Sequence, residues 1–288
     1  MQKAGGQYPR AAALQGKKVV VKIGGSSIAS PEQLQAFAKD VAVLVKNGVH
    51  LVLVHGGGPE INEEMKRRGL DVKKVAGLRV TDEAALSVVA AVLGRINAQI
   101  VEALRHEGLE AVGMAGAKGN TILSCKMPPF KAKDEAGKET SVDLGRVGEV
   151  TEVRPAALWK LLGEGKLPVL YPVCAAEDGG LMNVNADTVA AELARGIKAE
   201  ELVLVTDVPG VMREFGKPET AVSIIKTSEV PELVAKGIVS GGMIPKVEAC
   251  RSAVESGVRV AHMIDGKGEH ALARQLLSGH FVGTRIVR

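Results

Sequence analysis

Residues 18–25 read KVVVKIGG, a run of mostly β-branched residues that ends in two glycines. Such a run predicts a fully buried strand followed by a tight turn. Residues 49–59 read VHLVLVHGGGP and repeat the pattern, with Pro59 placed to open a helix. The carboxyl ends of parallel strands meet at one edge of a sheet, where ligands bind, and glycine lets backbone N–H groups approach phosphate oxygens closely. We therefore expect the two glycine turns to form an anion-binding edge. Neither turn matches the Walker or Rossmann pattern.

Predicted strands alternate with predicted helices along the rest of the chain. The strands are expected at 18–23, 49–54, 111–114, 167–173, 202–206 and 258–264, and the helices at 31–47, 81–106, 158–163, 187–197 and 246–256. Residues 126–148, rich in Lys, Pro, Asp and Gly, are expected to form hairpins or loops. This alternation predicts an α/β fold with a mostly parallel open sheet covered by helices on both faces.

Composition excludes several classes of function. Aromatic residues make up only 2% of the chain, which argues against stacking on single-stranded nucleic acid. The 37 basic and 33 acidic side chains are spread evenly, without the basic block of a nucleic-acid or membrane surface. The three cysteines are far apart and follow no metal-ligand spacing, so no disulfide or side-chain metal site is predicted. With no signal sequence recognisable, the cytoplasm is the expected compartment.

A few charged residues sit where their charge requires a partner. Lys22 lies in an otherwise apolar strand, where an unpaired ammonium would be costly, so it either pairs with an acid such as Asp187 or points at a phosphate. Arg79 precedes a helix and could hold a carboxylate bidentately, or lie on the surface. Asp187 is either an organising carboxylate or only a helix cap. Lys246, after a Gly-Gly pair, is either a second phosphate-directed cation or a solvated lysine. Together these residues suit phosphoryl transfer, which asks for positioning and charge neutralisation.

The assembled motifs resemble the amino acid kinase family, over nearly the whole chain from Lys17 to Val287. The resemblance rests on an ordered set of segments: VVVKIGG, VHGGGPEIN, GLRVTDE, NVNADT, TDVPGV and GGMIPKVEA. It implies a three-layer αβα sandwich and, in the branch it most resembles, transfer of phosphate from ATP with Mg²⁺ to the side-chain carboxylate of N-acetyl-L-glutamate in arginine synthesis. It also implies a homodimer or an assembly of dimers.

The resemblance assigns roles residue by residue. Lys22 and Lys246 would neutralise the transferring phosphoryl group, and Asp187 would organise the two lysines. Arg79 would bind the substrate's α-carboxylate and Asn183 its acetylamino part. Backbone groups of the glycine turns would contact phosphate and substrate: Gly24, Gly25, Gly57 and Gly58. The nucleotide would contact Thr206, Asp207, Gly210, Gly242 and Lys246.

The resemblance also implies a division of the chain. Residues 1–16 would be a flexible arm, residues 17–175 an N-terminal lobe for the acyl amino acid and dimerisation, and residues 176–288 an ATP-binding lobe. The first turn, IGGSS, and the short arm differ from the pattern of arginine-inhibited members. Some family members from photosynthetic organisms bind a PII-type regulator, and no feature of this sequence indicates that partner.

Two alternatives remain open on the sequence. Kinases of carrier-linked aminoadipate or glutamate share the implied fold and chemistry and would need a basic patch for the carrier. A non-catalytic, arginine-sensing kinase-like domain would be expected to lose the phosphate-directed lysines, whereas Lys22 and Lys246 are both present here.

Overall fold

The structure, a computed structural model, describes residues 8–75, 77–133, 139–214, 216–267, 270–279, 281 and 283–288. Among them the strands are β1 (Lys18–Ile23), β2 (His50–His55), β3 (Lys74–Val75), β4 (Leu78–Arg79), β5 (Ala111–Ala115), β6 (Ile122–Lys126), β7 (Phe130–Lys133), β8 (Glu139–Val142), β9 (Gly148–Val153), β10 (Leu167–Tyr171), β11 (Val173–Ala176), β12 (Leu181–Asn183), β13 (Glu201–Thr206), β14 (Ile224–Lys226), β15 (Val260–Asp265) and β16 (Thr284–Val287). The α-helices are α1 (Ala11–Leu14), α2 (Pro31–Lys46), α3 (Gly58–Arg67), α4 (Glu83–His106), α5 (Ala156–Gly163), α6 (Ala186–Gly196), α7 (Val230–Ala235), α8 (Met243–Glu255) and α9 (Ala271–Leu277).

An eight-stranded sheet forms the centre, in the order β14-β16-β15-β13-β1-β2-β10-β5. Every neighbouring pair in it is parallel except β15 with β16. Ile23 at the end of β1 is in register with His55 of β2 and Val205 of β13. The loops that follow these three strands therefore emerge side by side at one edge, and the predicted mostly parallel sheet is confirmed.

Alternation along the strands divides the core into two layers. Val19, Val21 and Ile23 of β1 pack with α2, α4 and α9 on one face, whereas Val20 packs with α5, α6 and α8 on the other. This alternation follows from the two-residue period of a β-strand. Helices on both faces of one central sheet confirm the predicted αβα sandwich.

Helix α4 is long and apolar enough to cross a membrane by length and composition alone, but 56% of its apolar window is buried inside the protein, as in a core helix.

A second sheet was not predicted. It has the order β12-β11-β6-β9, and short hairpins pair β3 with β4 and β7 with β8. Residues 167–173 were expected to form one strand, but β10 ends at Tyr171 and β11, in the second sheet, begins at Val173. Pro172 lies between them, and a proline cannot donate the next ladder hydrogen bond. The predicted hairpin region contains β7 and β8, while residues 134–138 lie outside the described part.

The described part of the N-terminal arm, residues 8–16, packs against the C-terminal half of the chain. The Arg10 backbone N–H donates to Leu277 O at 2.9 Å, and its guanidinium donates to Glu201 Oε1 at 2.9 Å. Leu14 in α1 is buried. The expected flexibility of residues 1–7 falls outside the described residues. The central sheet runs through both predicted lobes, since β1 pairs with β13, and the division at residue 175 stays a prediction.

Candidate active site

The two glycine turns lie in contact at the edge where β1 and β2 end. A Cβ built on Gly25 would stand 3.3 Å from Gly57 Cα and 2.7 Å from Glu60 Oε2. A Cβ on Gly57 would stand 2.5 Å from Ile96 Cδ1 of α4. A side chain at either position would have to displace Glu60 or Ile96, so glycine lets the two turns lie against each other and against α4 without such a shift.

Lys22 and Asp187 are buried beside these turns and form a cluster with the partly buried Lys246. Lys22 Nζ lies 2.8 Å from Asp187 Oδ1, and Lys246 Nζ donates to Asp187 Oδ2 at 2.8 Å. Asp187 lies in the first turn of α6, whose N-cap is Asn185: the Asn185 side chain accepts from Asp187 N and Thr188 N. Asp187 is therefore not a cap, and its carboxylate is free to join the two lysines.

Burial and pairing set the protonation of the cluster. Burial opposes ionisation of Asp187, but the two ammonium groups outweigh it and lower the pKa of its carboxyl to about 2. Burial lowers the pKa of Lys22 despite the neighbouring Asp187. Lys246 is only partly buried, which opposes its charge, but Asp187 outweighs this effect and raises the pKa of Lys246. The cluster thus holds two cations on one anion.

Arg79 is a buried cation with no counter-ion in the described part of the protein. It ends β4 and is 8% exposed, and no carboxylate of a described residue lies within 4.0 Å of it. Its Nη2 donates to Asn62 Oδ1 at 2.5 Å and to Gly58 O at 3.3 Å, which fixes the guanidinium. Burial lowers the pKa of Arg79, yet an arginine stays charged in proteins. A fixed, buried, unpaired guanidinium is suited to an anionic ligand.

Asn183 is linked to Arg79 through Thr81. The Asn183 Nδ2 donates to Thr81 Oγ1 at 3.2 Å, and the Thr81 hydroxyl donates to Arg79 O at 2.8 Å. The helix predicted from residue 81 begins at Glu83, because Asp82 is its N-cap and accepts from Ala85 N at 2.7 Å. Thr81 lies before the cap and connects the two residues expected to hold substrate.

Two cavities meet at Lys246. The first, of about 280 Å³, is lined by most of the predicted catalytic and substrate-binding residues: Lys22, Gly57, Gly58, Arg79, Asn183, Asp187 and Lys246. The second, of about 320 Å³, is lined by several predicted nucleotide-binding residues together with apolar side chains: Asp207, Gly210, Gly242, Lys246, Val208, Val211, Ile238 and Met243. One cavity is rich in charge and the other in apolar surface, as an anionic acceptor and a nucleoside would require.

The remaining predicted residues, Thr206, Gly24 and Gly25, line neither of these two cavities. Thr206 is buried, and its hydroxyl donates to Val208 O at 2.8 Å, so its side chain is engaged within the loop. The Gly24 N–H donates to Val205 O at 3.3 Å, while a Cβ on Gly24 would stand 3.9 Å from Lys22 Nζ. Gly25, in the first turn, lies against Gly57 of the second turn.

Sequence reasoning missed Asn62, Thr81 and His55. Asn62 fixes Arg79, Thr81 couples it to Asn183, and His55 is a fully buried ring directly before the second glycine turn. Of these three, only His55 could have been found from the sequence. A polar residue at the end of an apolar strand needs a hydrogen-bond partner, as Lys22 needs a partner for its charge.

Comparison with known proteins shows the family of this chain. The model of the amino acid kinase family matches residues 17–265, and the chain belongs to that family. It is 45% identical to the acetylglutamate kinase of Methanothrix thermoacetophila, over 93% of this chain and 91% of that one, and 44% identical to that of Methanocaldococcus jannaschii, over 95% and 91%. The fold is also similar to N-acetylglutamate synthase from Neisseria gonorrhoeae, with a TM-score of 0.82 at 23% identity, over 97% of this chain and 61% of that one.

Asp187→Asn tests whether this carboxylate supports the two lysines. Removing one partner of a buried ion pair costs about 3–5 kcal/mol, because a buried charge is left uncompensated. The pKa of Lys22, already below its ordinary 10.5, should fall further in the folded variant, so the unfolded state binds more protons and stability rises with pH. We expect the free energy of unfolding of the variant to be far below that of the wild type at about pH 7. The difference should be smaller at about pH 9.5, as measured by urea denaturation.

Asp143→Asn is the matched control, since Asp143 pairs with Lys126 at 2.7 Å on the surface. Its loss should be much smaller and should not narrow at alkaline pH. Equal losses for the two variants would show that Asp187 has no special role in holding the buried lysines.

Proposed function

We propose that this chain transfers the terminal phosphoryl group of ATP to the side-chain carboxylate of N-acetyl-L-glutamate, giving N-acetyl-L-glutamyl 5-phosphate in arginine and ornithine synthesis. The observation that carries the proposal is the Lys22–Asp187–Lys246 cluster, with Lys246 lining both cavities. The names of the relatives supply the acceptor.

Different residues bind the acceptor and offset the charge of the phosphoryl group in this proposal. Arg79 binds the α-carboxylate of the acceptor, and Asn183 contacts its acetylamino group. The Gly57 and Gly58 N–H groups face the transferring phosphoryl group, and Lys22 and Lys246 offset its charge. The acceptor carboxylate is already an anion at neutral pH, so no general base is required, and the barrier is repulsion between two anions.

The nucleotide occupies the second cavity in this proposal. Gly210 and Gly242 offer backbone to the phosphates and ribose, and the apolar side chains contact the base. The described residues contain no cluster of three His, Cys, Asp or Glu side chains that could hold a metal. In this proposal Mg²⁺ would be bound by the phosphates of ATP and by water, and it would neutralise phosphate charge.

The proposed enzyme works as a homodimer in the cytoplasm. Strand β5 is at the edge of the central sheet, beside an open groove lined by small residues, among them Gly94, Ala98 and Gly113. An exposed edge with small side chains invites pairing with a second chain.

Trapping of the acyl phosphate with hydroxylamine tests the reaction. With ATP and Mg²⁺ we expect product from N-acetylglutamate and little from glutamate or N-acetylaminoadipate. Lys22→Ala and Lys246→Ala should each lower kcat by about 100-fold or more, because each removes charge stabilisation of the transition state. Lys126→Ala, at a surface ion pair, is the control and should keep full activity.

A folded wild-type protein that yields no product from any of the three acceptors would contradict the proposal. The carrier-linked kinases or the sensor domain would then be favoured.

Arg79→Met tests substrate recognition. The change keeps the length of the stem and removes the charge, so the KM for N-acetylglutamate should rise by about 10- to 100-fold, the value of a charged hydrogen bond. The KM for ATP should stay unchanged. Arg67→Met, at a solvent-exposed arginine paired with Glu64, should alter neither constant. If Arg79→Met changed only the KM for ATP, the acceptor would have to bind elsewhere.

Sedimentation velocity tests the dimer. The wild-type chain should sediment as a dimer, and Ala98→Glu, which puts a charge in the groove beside β5, should give a monomer. Ala157→Glu on α5 is the control, because that exposed residue lies in the other helical layer. A wild-type monomer, or an Ala98→Glu dimer, would contradict this interface.

A further inference from the structure

His55 is a buried polar residue that the proposed chemistry does not use. It ends β2, its side chain is 0% exposed, and it follows Val54 on the strand, so it faces α4 while Lys22 faces α6. Both ring nitrogens have partners: Nδ1 lies 2.9 Å from Gly56 O, and Nε2 lies 3.1 Å from Asn97 Nδ2.

The partners allow only one arrangement of protons. Gly56 O can only accept, so Nδ1 must carry the ring proton. The amide of Asn97 is oriented by Val169 O, which also can only accept and lies 3.0 Å from Nδ2. Nδ2 therefore donates one hydrogen to Val169 O and the other to His55 Nε2. Gly113 leaves the space for this amide, since a Cβ there would stand 2.0 Å from Asn97 Oδ1.

This arrangement fixes the Gly56–Gly57 peptide, which forms no backbone hydrogen bond with any residue that the structure describes. The Gly56 N–H donates to Ile23 O at 3.0 Å, and Gly57 O accepts from Ile61 N at 2.9 Å. The Gly56 carbonyl is held by the imidazole. A trans peptide points its C=O and N–H in opposite directions, so the Gly57 N–H is turned away from the ring. Among the described residues this N–H has no acceptor, and Gly57 lines the first cavity.

We propose that His55, held by Asn97, is a positioning residue that orients the Gly56–Gly57 peptide so that the Gly57 N–H is presented to the transferring phosphoryl group. The inference rests on the proposed function. Asn97 lies next to Ile96, the side chain that contacts Gly57, so α4 both supports the turn and holds the ring that orients it.

The ring keeps one protonation state at neutral pH. Burial lowers the pKa of His55 to about 4; the Gly56 carbonyl opposes this shift and the nearby Lys22 adds to it. The other groups that face the ring are Asn97 from α4 and Tyr171 from β10, whose ring centroid is 6.1 Å away. No titration of His55 should therefore appear in the activity between about pH 6 and pH 9.

Two variants of His55 separate positioning from packing. In His55→Asn the amide nitrogen can occupy the place of Nδ1 and still donate to Gly56 O, whereas in His55→Gln the amide lies nearer the place of Nε2. We expect His55→Asn to keep kcat within about 5-fold of wild type and His55→Gln to lower it by about 30-fold or more, since one lost donor of this kind costs about 10²–10³. The KM values should change little. Equal kcat values for the two folded variants would overturn the proposal.

NMR supplies a readout that does not depend on activity. A long-range ¹H–¹⁵N spectrum of the wild-type protein should place the ring proton on Nδ1, and the Gly57 amide resonance should stay in place in His55→Asn and move in His55→Gln. A proton on Nε2, or an unmoved Gly57 resonance in both variants, would overturn the inference. If the wild-type protein lacks kinase activity, the proposed function fails, and these spectra still decide the role of His55.

Asn97→Leu provides a second variant in case His55→Gln does not fold. It removes the amide that holds Nε2 of the ring but leaves the imidazole and its contact with Gly56 O in place. The ring proton should stay on Nδ1, while the ring loses the contact that fixes its orientation, so we expect a shifted Gly57 amide resonance and a lower kcat. An unmoved Gly57 resonance with unchanged kcat would overturn the role of Asn97.

Discussion

The site depends on one buried carboxylate. Asp187 is surrounded by apolar strands and helices, and it is stable there because Lys22 and Lys246 each lie 2.8 Å from one of its oxygens. The same contacts join β1, α6 and α8, which are far apart in the sequence. Asn185 sets the first turn of α6 and thereby places Asp187 at the sheet edge. Any displacement of α6 would separate charges that cannot be left unpaired in the interior.

The strand period then decides which helix each polar residue meets. Lys22 shares with Val20 the sheet face that packs on α6, whereas His55 shares with Leu53 the face that packs on α4. The edge between these strands is therefore supported from both layers. In the proposed function, the charges that neutralise phosphate come from one side, and the side chain that fixes the backbone of the glycine turn comes from the other. A shift of register by one residue would exchange these roles and bury each group against the wrong helix.

The features that could be predicted from the sequence are those that follow from a local repeating pattern or from the energetic cost of a single residue. The apolar runs predicted β1 and β2 within one residue of their ends, and an unpaired ammonium in such a run marked Lys22. The strand order, the second sheet and the contacts of Arg79 could not be predicted from the sequence alone, because they join residues far apart along the chain. Asn62 looks like any polar residue of a helix until Arg79 is placed beside it. The motifs that resemble the family indicated Arg79 and Asn183, but not the Thr81 hydroxyl between them.

Asp187 also determines how much positive charge the site delivers. Lys22, Lys74, Lys246 and Arg79 contribute four cations to the first cavity, and the carboxylate reduces their formal sum by one. Its removal would nevertheless not strengthen the field, because burial already lowers the pKa of Lys22 and Asp187 is the principal group that opposes that shift. Without the carboxylate, Lys22 would lose its proton more readily, and its positive charge would be lost where we propose that the phosphoryl group passes. At the proposed anion site, a negative group therefore maintains the positive charge of its neighbour.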